Sequence, residues 1–99
     1  MRDTSEDAQD RRCRLGLAAA QGDAEAQCLL GSMLFNGEGG PEDFAEARRL
    51  YGLAAAQGHA DAQCNLGGMH RIGVGGPEDF TEARRLLGLA AAQGHAEAH

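Results

Sequence analysis

The apolar residues of this chain recur every three to four positions within short segments, and the segments themselves recur every 36 residues. One stripe in the segment 41–57 has the spacing of a single helix face and comprises Phe44, Ala47, Tyr51, Ala54 and Ala55. Leu50 and Leu53 form a second stripe on the same segment. A helix that is apolar on two sides must be covered on two sides, which is typical of a solenoid.

Local signals set the ends of this longer helix at 41 and 57. Pro41 is favoured at the first position of a helix, and Glu42 and Asp43 place negative charge at the positive end of the helix dipole. Gly58 follows the last residue and is typical of a helix end.

A shorter helix is predicted over 24–36. It begins after Asp23, a favourable N-cap, and ends at Gly37. Its buried side is predicted to comprise Ala26, Leu30 and Met33. The glycine-rich loop 37–40 joins the shorter helix to the longer one, so each unit is a helix hairpin.

The unit is present in two near-identical copies. Positions 22–57 and 58–93 differ at only ten of their 36 positions. The sequence therefore predicts an all-α fold, an α/α superhelix (solenoid) of 36-residue helix-hairpin repeats in a single repeat domain, residues 1–99. Five helices are expected, near 5–21, 24–36, 41–57, 60–72 and 77–93.

The two ends of the chain are expected to be partial units. Residues 1–21 align with the longer helix and are predicted to form a polar N-terminal capping helix. Residues 94–99 repeat the beginning of the shorter helix and read as the truncated start of a further repeat. Apolar surface on the last helix is then available for self-association.

Three glycines fall inside the longer helices, where each costs about 1 kcal/mol relative to alanine. They are Gly16, Gly52 and Gly88, at the same position of successive units. We expect close approach between helices to offset this cost.

The charge of the chain excludes one class of partner. The sequence has nine arginines, no lysine and fifteen acidic residues, for a net charge of −6. Nucleic-acid binding depends on neutralising several phosphates with cationic side chains, so no nucleic-acid partner is expected. A basic protein or peptide is electrostatically easier to bind.

Targeting signals and cysteine usage indicate a soluble cytoplasmic protein. No stretch approaches the roughly 20 apolar residues of a membrane span, and the N-terminus lacks the apolar core of a signal peptide. Cys28 and Cys64 hold equivalent places in stacked units, too far apart for a disulfide, and Cys13 stands alone. Free thiols in a reducing cytosol are expected.

These segments resemble the Sel-one-like repeat family, a branch of the tetratricopeptide-like α/α solenoids. The resemblance rests on the motifs 24–31, 37–39, 43–47 and 54–55, and on their repetition at 60–67, 73–75, 79–83 and 90–91. It implies a right-handed superhelix in which the shorter helices line a concave face. It also implies an adaptor that binds other proteins, with no catalytic residue set.

Three candidate chemical sites are set aside, so no catalytic, cofactor-binding or metal-binding residue is expected. The loop 37–40 could cradle phosphate, but a proline and two acids follow it immediately. His95 and His99 have metal-ligand spacing but lie at the frayed end of the chain. Six residues separate Cys64 from His70, which places them on different helix faces, and a packing role is expected for His70.

The differences between the two units fall mostly on the shorter helix. Four positions spaced four, three and four residues apart share one helix face. This stripe, with Phe35 and Arg71 at its edge, comprises Glu25, Leu29, Ser32 and Asn36 in one unit and Asp61, Asn65, Gly68 and Ile72 in the other. Leu29 and Phe35 are expected to be more exposed than core residues such as Leu30.

Two functions fit this pattern. The leading interpretation is a scaffold whose concave stripe binds a peptide or a partner protein. The alternative is a structural solenoid segment or a self-assembling repeat unit with no separate ligand. Drift at solvent-exposed positions without a packing role is the simpler explanation of the stripe, and an enzyme is not expected because no acid, base and nucleophile converge.

Overall fold

Five α-helices follow one another in the computed structural model, which describes residues 4–94, with side chains from residue 7 onward. They are α1 (Thr4–Ala20), α2 (Ala24–Asn36), α3 (Phe44–Ala56), α4 (Ala60–Ile72) and α5 (Phe80–Ala92). No strand occurs within residues 4–94, which confirms the all-α prediction. The expected repeat start after Gly94 and the pair His95 and His99 lie outside the described residues.

The helices stack in chain order. The main contacts join each helix to the next one along the chain, from α1 to α5. The resulting body measures 46 × 23 × 23 Å, so it is twice as long as it is wide. This elongated stacking of hairpins is the predicted solenoid.

The second helix of each hairpin begins three residues later than predicted, at Phe44 and Phe80. Pro41 lies in the loop, because the helix is capped by Asp43, whose side chain accepts a hydrogen bond from the backbone N–H of Glu46 at 3.0 Å. The backbone N–H of Asp43 also donates to the carbonyl oxygen of Leu34 and ties the loop to α2. Both helices of a hairpin therefore have 13 residues, and neither is the longer one.

The ends of α2 agree with the sequence prediction. The side chain of Asp23 accepts a hydrogen bond from the backbone N–H of Ala26, and Gly37 ends the helix in the left-handed conformation. In α4 the cap is His59, whose Nδ1 accepts from the backbone N–H of Ala62 at 3.2 Å. An imidazole thus replaces a carboxylate at the same position.

The core is built from small side chains and a few large ones. Ala47, Ala54 and Ala62 are fully buried beside Tyr51 and Leu86. Small residues let neighbouring helices approach closely.

Three of the expected core positions are less buried than predicted. Phe44 and Leu53 are 38% and 43% exposed, because no helix covers them fully. Leu30 is only partly buried, against a small cluster that includes Ala19 and Leu50. Its copy Leu66, on α4 between α3 and α5, is buried.

The prediction of close helix approach at the internal glycines is wrong. A Cβ added at Gly16, Gly52 or Gly88 would meet no atom within 4 Å. Helices approach closely at Gly31 instead, where an added Cβ would lie 3.0 Å from the Tyr51 ring. The helix glycines that contact a neighbouring helix are Gly31 on α2 and Gly67 on α4. The glycines inside α1, α3 and α5 face open space.

Two glutamines are buried inside the stack, each about 4% exposed. The side-chain amide of Gln27 donates to the carbonyl oxygen of Ala19 in α1, and its oxygen accepts from Gln57 beyond α3. Gln63 repeats both bonds one unit later. Each glutamine therefore joins three successive helices and satisfies its own polar atoms.

Arginines anchor each hairpin loop to the helix that precedes the hairpin, α1 for the first loop and α3 for the second. Arg12 donates to the carbonyl oxygen of Pro41, and Arg48 donates to that of Pro77, both at 2.8 Å. Gly39 lies so close to α1 that an added Cβ would be 2.5 Å from the carbonyl oxygen of Ala8. The loops are thus fixed by the repeat junctions, which holds the ends of α2 and α4 in place.

Candidate partner-binding groove

An open groove of about 400 Å³ runs between α2 and α4. We call it the α2/α4 groove. Its walls and floor comprise Ser32, Phe35, Asn36, Tyr51, Cys64, Asn65, Gly68, Met69, Arg71 and Ile72. The groove mixes apolar side chains with a few hydrogen-bonding groups, as binding sites do.

Seven of the ten residues predicted for the recognition stripe line this groove. They are Ser32, Phe35, Asn36, Asn65, Gly68, Arg71 and Ile72. Glu25, Leu29 and Asp61 lie outside it, toward the N-terminal ends of α2 and α4. The carboxylate of Glu25 pairs with His59 Nε2 at 2.8 Å, and Leu29 is half-buried. A binding role for the ten stays a prediction.

Three lining residues were missed by the sequence reasoning. Position 51 carries a usable signal, because Tyr51 is replaced by Leu87 in the second unit. Cys64 and Met69 are identical to their counterparts, so a comparison of the two units could not find them.

The α2 wall is held in place by contacts of its own side chains. The hydroxyl groups of Ser32 and Tyr51 are hydrogen-bonded at 2.9 Å. Burial raises the pKa of Tyr51, and the bond to Ser32 partly opposes that rise. Phe35, also half-buried, packs edge-to-face on Phe44 with ring centroids 5.2 Å apart. This wall therefore needs little ordering to meet a ligand.

The α4 wall is more open. A Cβ added at Gly68 would meet no atom within 4 Å, so the helix surface there is bare. Ile72 is 62% exposed, a large fraction for an isoleucine. Arg71 beside it is exposed and forms no ion pair with another described residue.

The Cys28 thiol near the groove is not an activated nucleophile. Burial, together with the charges of Asp61 and Glu25, raises the pKa of Cys28 to about 11, so it stays protonated at neutral pH. Cys64 lies in the groove wall, and no disulfide joins Cys13, Cys28 or Cys64.

His70 lies at the repeat junction and does not line the groove. Its Nδ1 faces Arg48 Nη2 at 2.6 Å, so the arginine donates and the imidazole accepts. Burial and this neighbouring cation lower the pKa of His70. Its role is to pack against α3, as predicted.

Two further grooves lie on the opposite side of α2 and α4, and we call them the paired grooves. One separates α1 from α3 and the other separates α3 from α5, with volumes of about 460 and 440 Å³. Their linings correspond one to one at a separation of 36 residues, and all ten pairs are identical. At the rim, Glu46 pairs with Arg49 and Glu82 pairs with Arg85.

Residues 4–94 show neither a membrane-spanning helix nor a metal-binding cluster. No helix in this part of the chain is long and apolar enough to cross a membrane. Its histidine, cysteine and acidic side chains form no group of three or more that could hold a metal ion.

The fold and the grooves define an α/α solenoid of helix-hairpin repeats. The chain belongs to the Sel1 repeat family, whose model matches residues 24–59 and 60–95. Solenoids of this family generally act as protein-interaction scaffolds and are typically not enzymes. A comparison with curated protein sequences gave no match.

Solved structures show the same fold. A Sel1 repeat protein from Oxalobacter formigenes is 39% identical and superposes with a TM-score of 0.83 over 85% of this chain. A protective antigen of uropathogenic Escherichia coli strains, which displays an SLR fold, is 33% identical with a TM-score of 0.86 over 88%. Cysteine rich protein B of Helicobacter pylori is 22% identical, with a TM-score of 0.83 over 88%, and supports the fold alone. The matched region spans 24%, 19% and 65% of these three chains.

Proposed function

We propose that this chain is a protein-interaction scaffold that holds a peptide, or an extended segment of a partner protein, in the α2/α4 groove. One observation carries the proposal. The residues exposed in this groove differ between two otherwise near-identical units, whereas the paired grooves have identical linings. Divergence in this groove, with none in the paired grooves, is expected when the α2/α4 groove recognises something asymmetric.

The shape and chemistry of the groove support peptide binding. It is open rather than enclosed, so a chain can pass through it. Exposed apolar surface at Ile72 would be covered by a ligand, and the amides of Asn36 and Asn65 can bond to a peptide backbone. A pre-ordered α2 wall reduces the entropy lost on binding.

The charge and the thiols support the rest of the proposal. A chain of net charge −6 favours a partner that is basic overall and disfavours nucleic acid. Three cysteines without a disulfide, with Cys13 exposed, fit a reducing compartment, and we assign the chain to the cytoplasm. The proposed scaffold has no catalytic activity and needs no cofactor.

The test is a selection of random heptapeptides, displayed on phage, against the wild-type protein and two leucine variants. Gly68→Leu fills the α2/α4 groove, and Gly52→Leu fills a paired groove. Neither added Cβ meets an atom within 4 Å, and both changes remove a glycine from a helix interior, so both variants should fold. The two variants therefore differ only in which groove the new leucine fills.

We expect peptides enriched on the wild type to bind Gly52→Leu equally well and to lose binding to Gly68→Leu. The proposal is wrong if the wild type enriches no peptide above the background set by Gly68→Leu. It is also wrong if Gly52→Leu removes binding instead.

A second function, self-assembly, is supported by exposed apolar residues on the other side of the solenoid. Leu17, Leu53 and Leu89 lie 36 residues apart and are 66%, 43% and 42% exposed. The last helix, α5, also exposes Phe80. If copies associate through α5, light scattering should show a mass that rises with concentration, and Phe80→Ser should prevent that rise. The control is Ile72→Ser, an equally exposed position on α4.

A further inference from the structure

We infer that the segment bound in the α2/α4 groove carries a bulky apolar side chain next to a carboxylate. This inference rests on the proposed function and specifies the chemistry of the partner. It follows from the distribution of charge and apolar surface along the groove.

A carboxylate in the bound segment is inferred from Arg71, the one charged residue among those lining the groove. It is exposed and makes no ion pair with another described residue, in a chain where acids outnumber cations. Glu38, just beyond α2, instead accepts a hydrogen bond from Asn36 at 3.4 Å. The guanidinium can therefore donate paired hydrogen bonds to an incoming carboxylate.

The apolar side chain is assigned by the surface beside Arg71. Ile72 is the next residue of α4 and is 62% exposed, and Phe35 presents the facing wall from α2. Gly68 leaves the space between them open, because it carries no side chain and has no neighbour within 4 Å of an added Cβ. A large aliphatic or aromatic side chain fits there and would cover the isoleucine.

The test combines the heptapeptide selection with charge reversal. The most enriched peptide is synthesised, and its affinity is measured by fluorescence anisotropy for the wild type, Arg71→Glu and Arg84→Glu. Arg84 is the control, because it is also exposed, lies on α5 and lines none of the three grooves. Both variants change the net charge equally.

We expect enriched peptides to place Asp or Glu within two positions of a bulky apolar residue. Arg71→Glu should weaken binding about tenfold or more, which is the effect of losing a charge-assisted hydrogen bond. Arg84→Glu should leave the affinity nearly unchanged. A second selection on Arg71→Glu should replace the acid with Lys or Arg.

Two outcomes would overturn the inference. If wild-type peptides bind in the groove but show no acidic preference, or if both charge reversals weaken binding equally, the assigned chemistry is wrong and the proposed function stands. If Gly68→Leu shows the same enrichment as the wild type, the groove binds nothing, and the proposed function fails as well.

Discussion

The two sides of helices α2 and α4 differ in how similar their residues are between the two units. The paired grooves have ten identical lining pairs, including the exposed Leu53 and Leu89. The α2/α4 groove instead joins unlike residues, with Phe35 and Asn36 where the second unit has Arg71 and Ile72. The units therefore share one side and differ on the other.

Packing explains much of this contrast. The buried glutamines and alanines that join successive helices face the paired grooves, and their hydrogen bonds recur in each unit. A change there would disturb the junction to the next unit. Residues of the α2/α4 groove, such as Asn65 and Ile72, are exposed and can change at little cost to folding. The comparison therefore predicts different mutational responses on the two sides.

The largest difference is expected between two leucines. Leu50 is 3% exposed and lines a paired groove, whereas Leu29 is half-buried on the other side of the stack. Leu50→Ala should lower the free energy of unfolding by about 2–5 kcal/mol, because it leaves a cavity. Leu29→Ala should cost clearly less. Urea denaturation measures both, and equal losses would remove the contrast between the two sides.

A smaller effect is expected at two helix glycines. Gly52→Ala should raise the free energy of unfolding by about 1 kcal/mol, because the new methyl group meets nothing and alanine favours the helix. Gly31→Ala should give a less stable protein than Gly52→Ala, since its Cβ would press on the buried Tyr51 ring at 3.0 Å. Thermal melts rank the two variants, and the reverse order would contradict the packing described at Gly31.

The smallest effect concerns His70, which the first unit replaces with Leu34. Because its pKa is lowered in the folded protein, the neutral form is favoured there. Its contribution to stability is present above the ordinary histidine value of about 6.5 and is lost as the pH falls below it. Arg48 and Arg85 oppose protonation, and Glu82 and Asp79 favour it.

The melting temperature should therefore fall between pH 7 and pH 5, and fall less in His70→Leu. The comparison is made by circular dichroism at both values. An equal fall in the wild type and the variant would show that His70 does not contribute.

Much of the fold could be predicted because the 36-residue repeat aligns each helix with its copy in the next unit. Helix number, the cap at Asp23 and the end at Gly37 were all readable from local chemistry. The start of α3 was not, because Pro41 and Asp43 both suit a helix N-terminus, and only the hydrogen bond to Glu46 shows which of them caps it.

Sequence reasoning was weaker on side-chain environment. The glycine positions show why, since periodicity places Gly31 and Gly52 equally inside helices and only the packing shows which one a neighbour touches. Divergence between units pointed to most of the groove, but it could not identify Cys64 or Met69, which do not vary.

The central claim is that a partner binds between α2 and α4, and amide chemical shifts test it most directly. ¹H–¹⁵N spectra would be recorded while the most enriched heptapeptide is added to saturation. We predict that the amides of Asn65 and Gly68 shift, whereas those of Gly52 and Gly88, on the other side of the stack, do not. Shifts at Gly52 and Gly88 without a change at Gly68 would contradict the account.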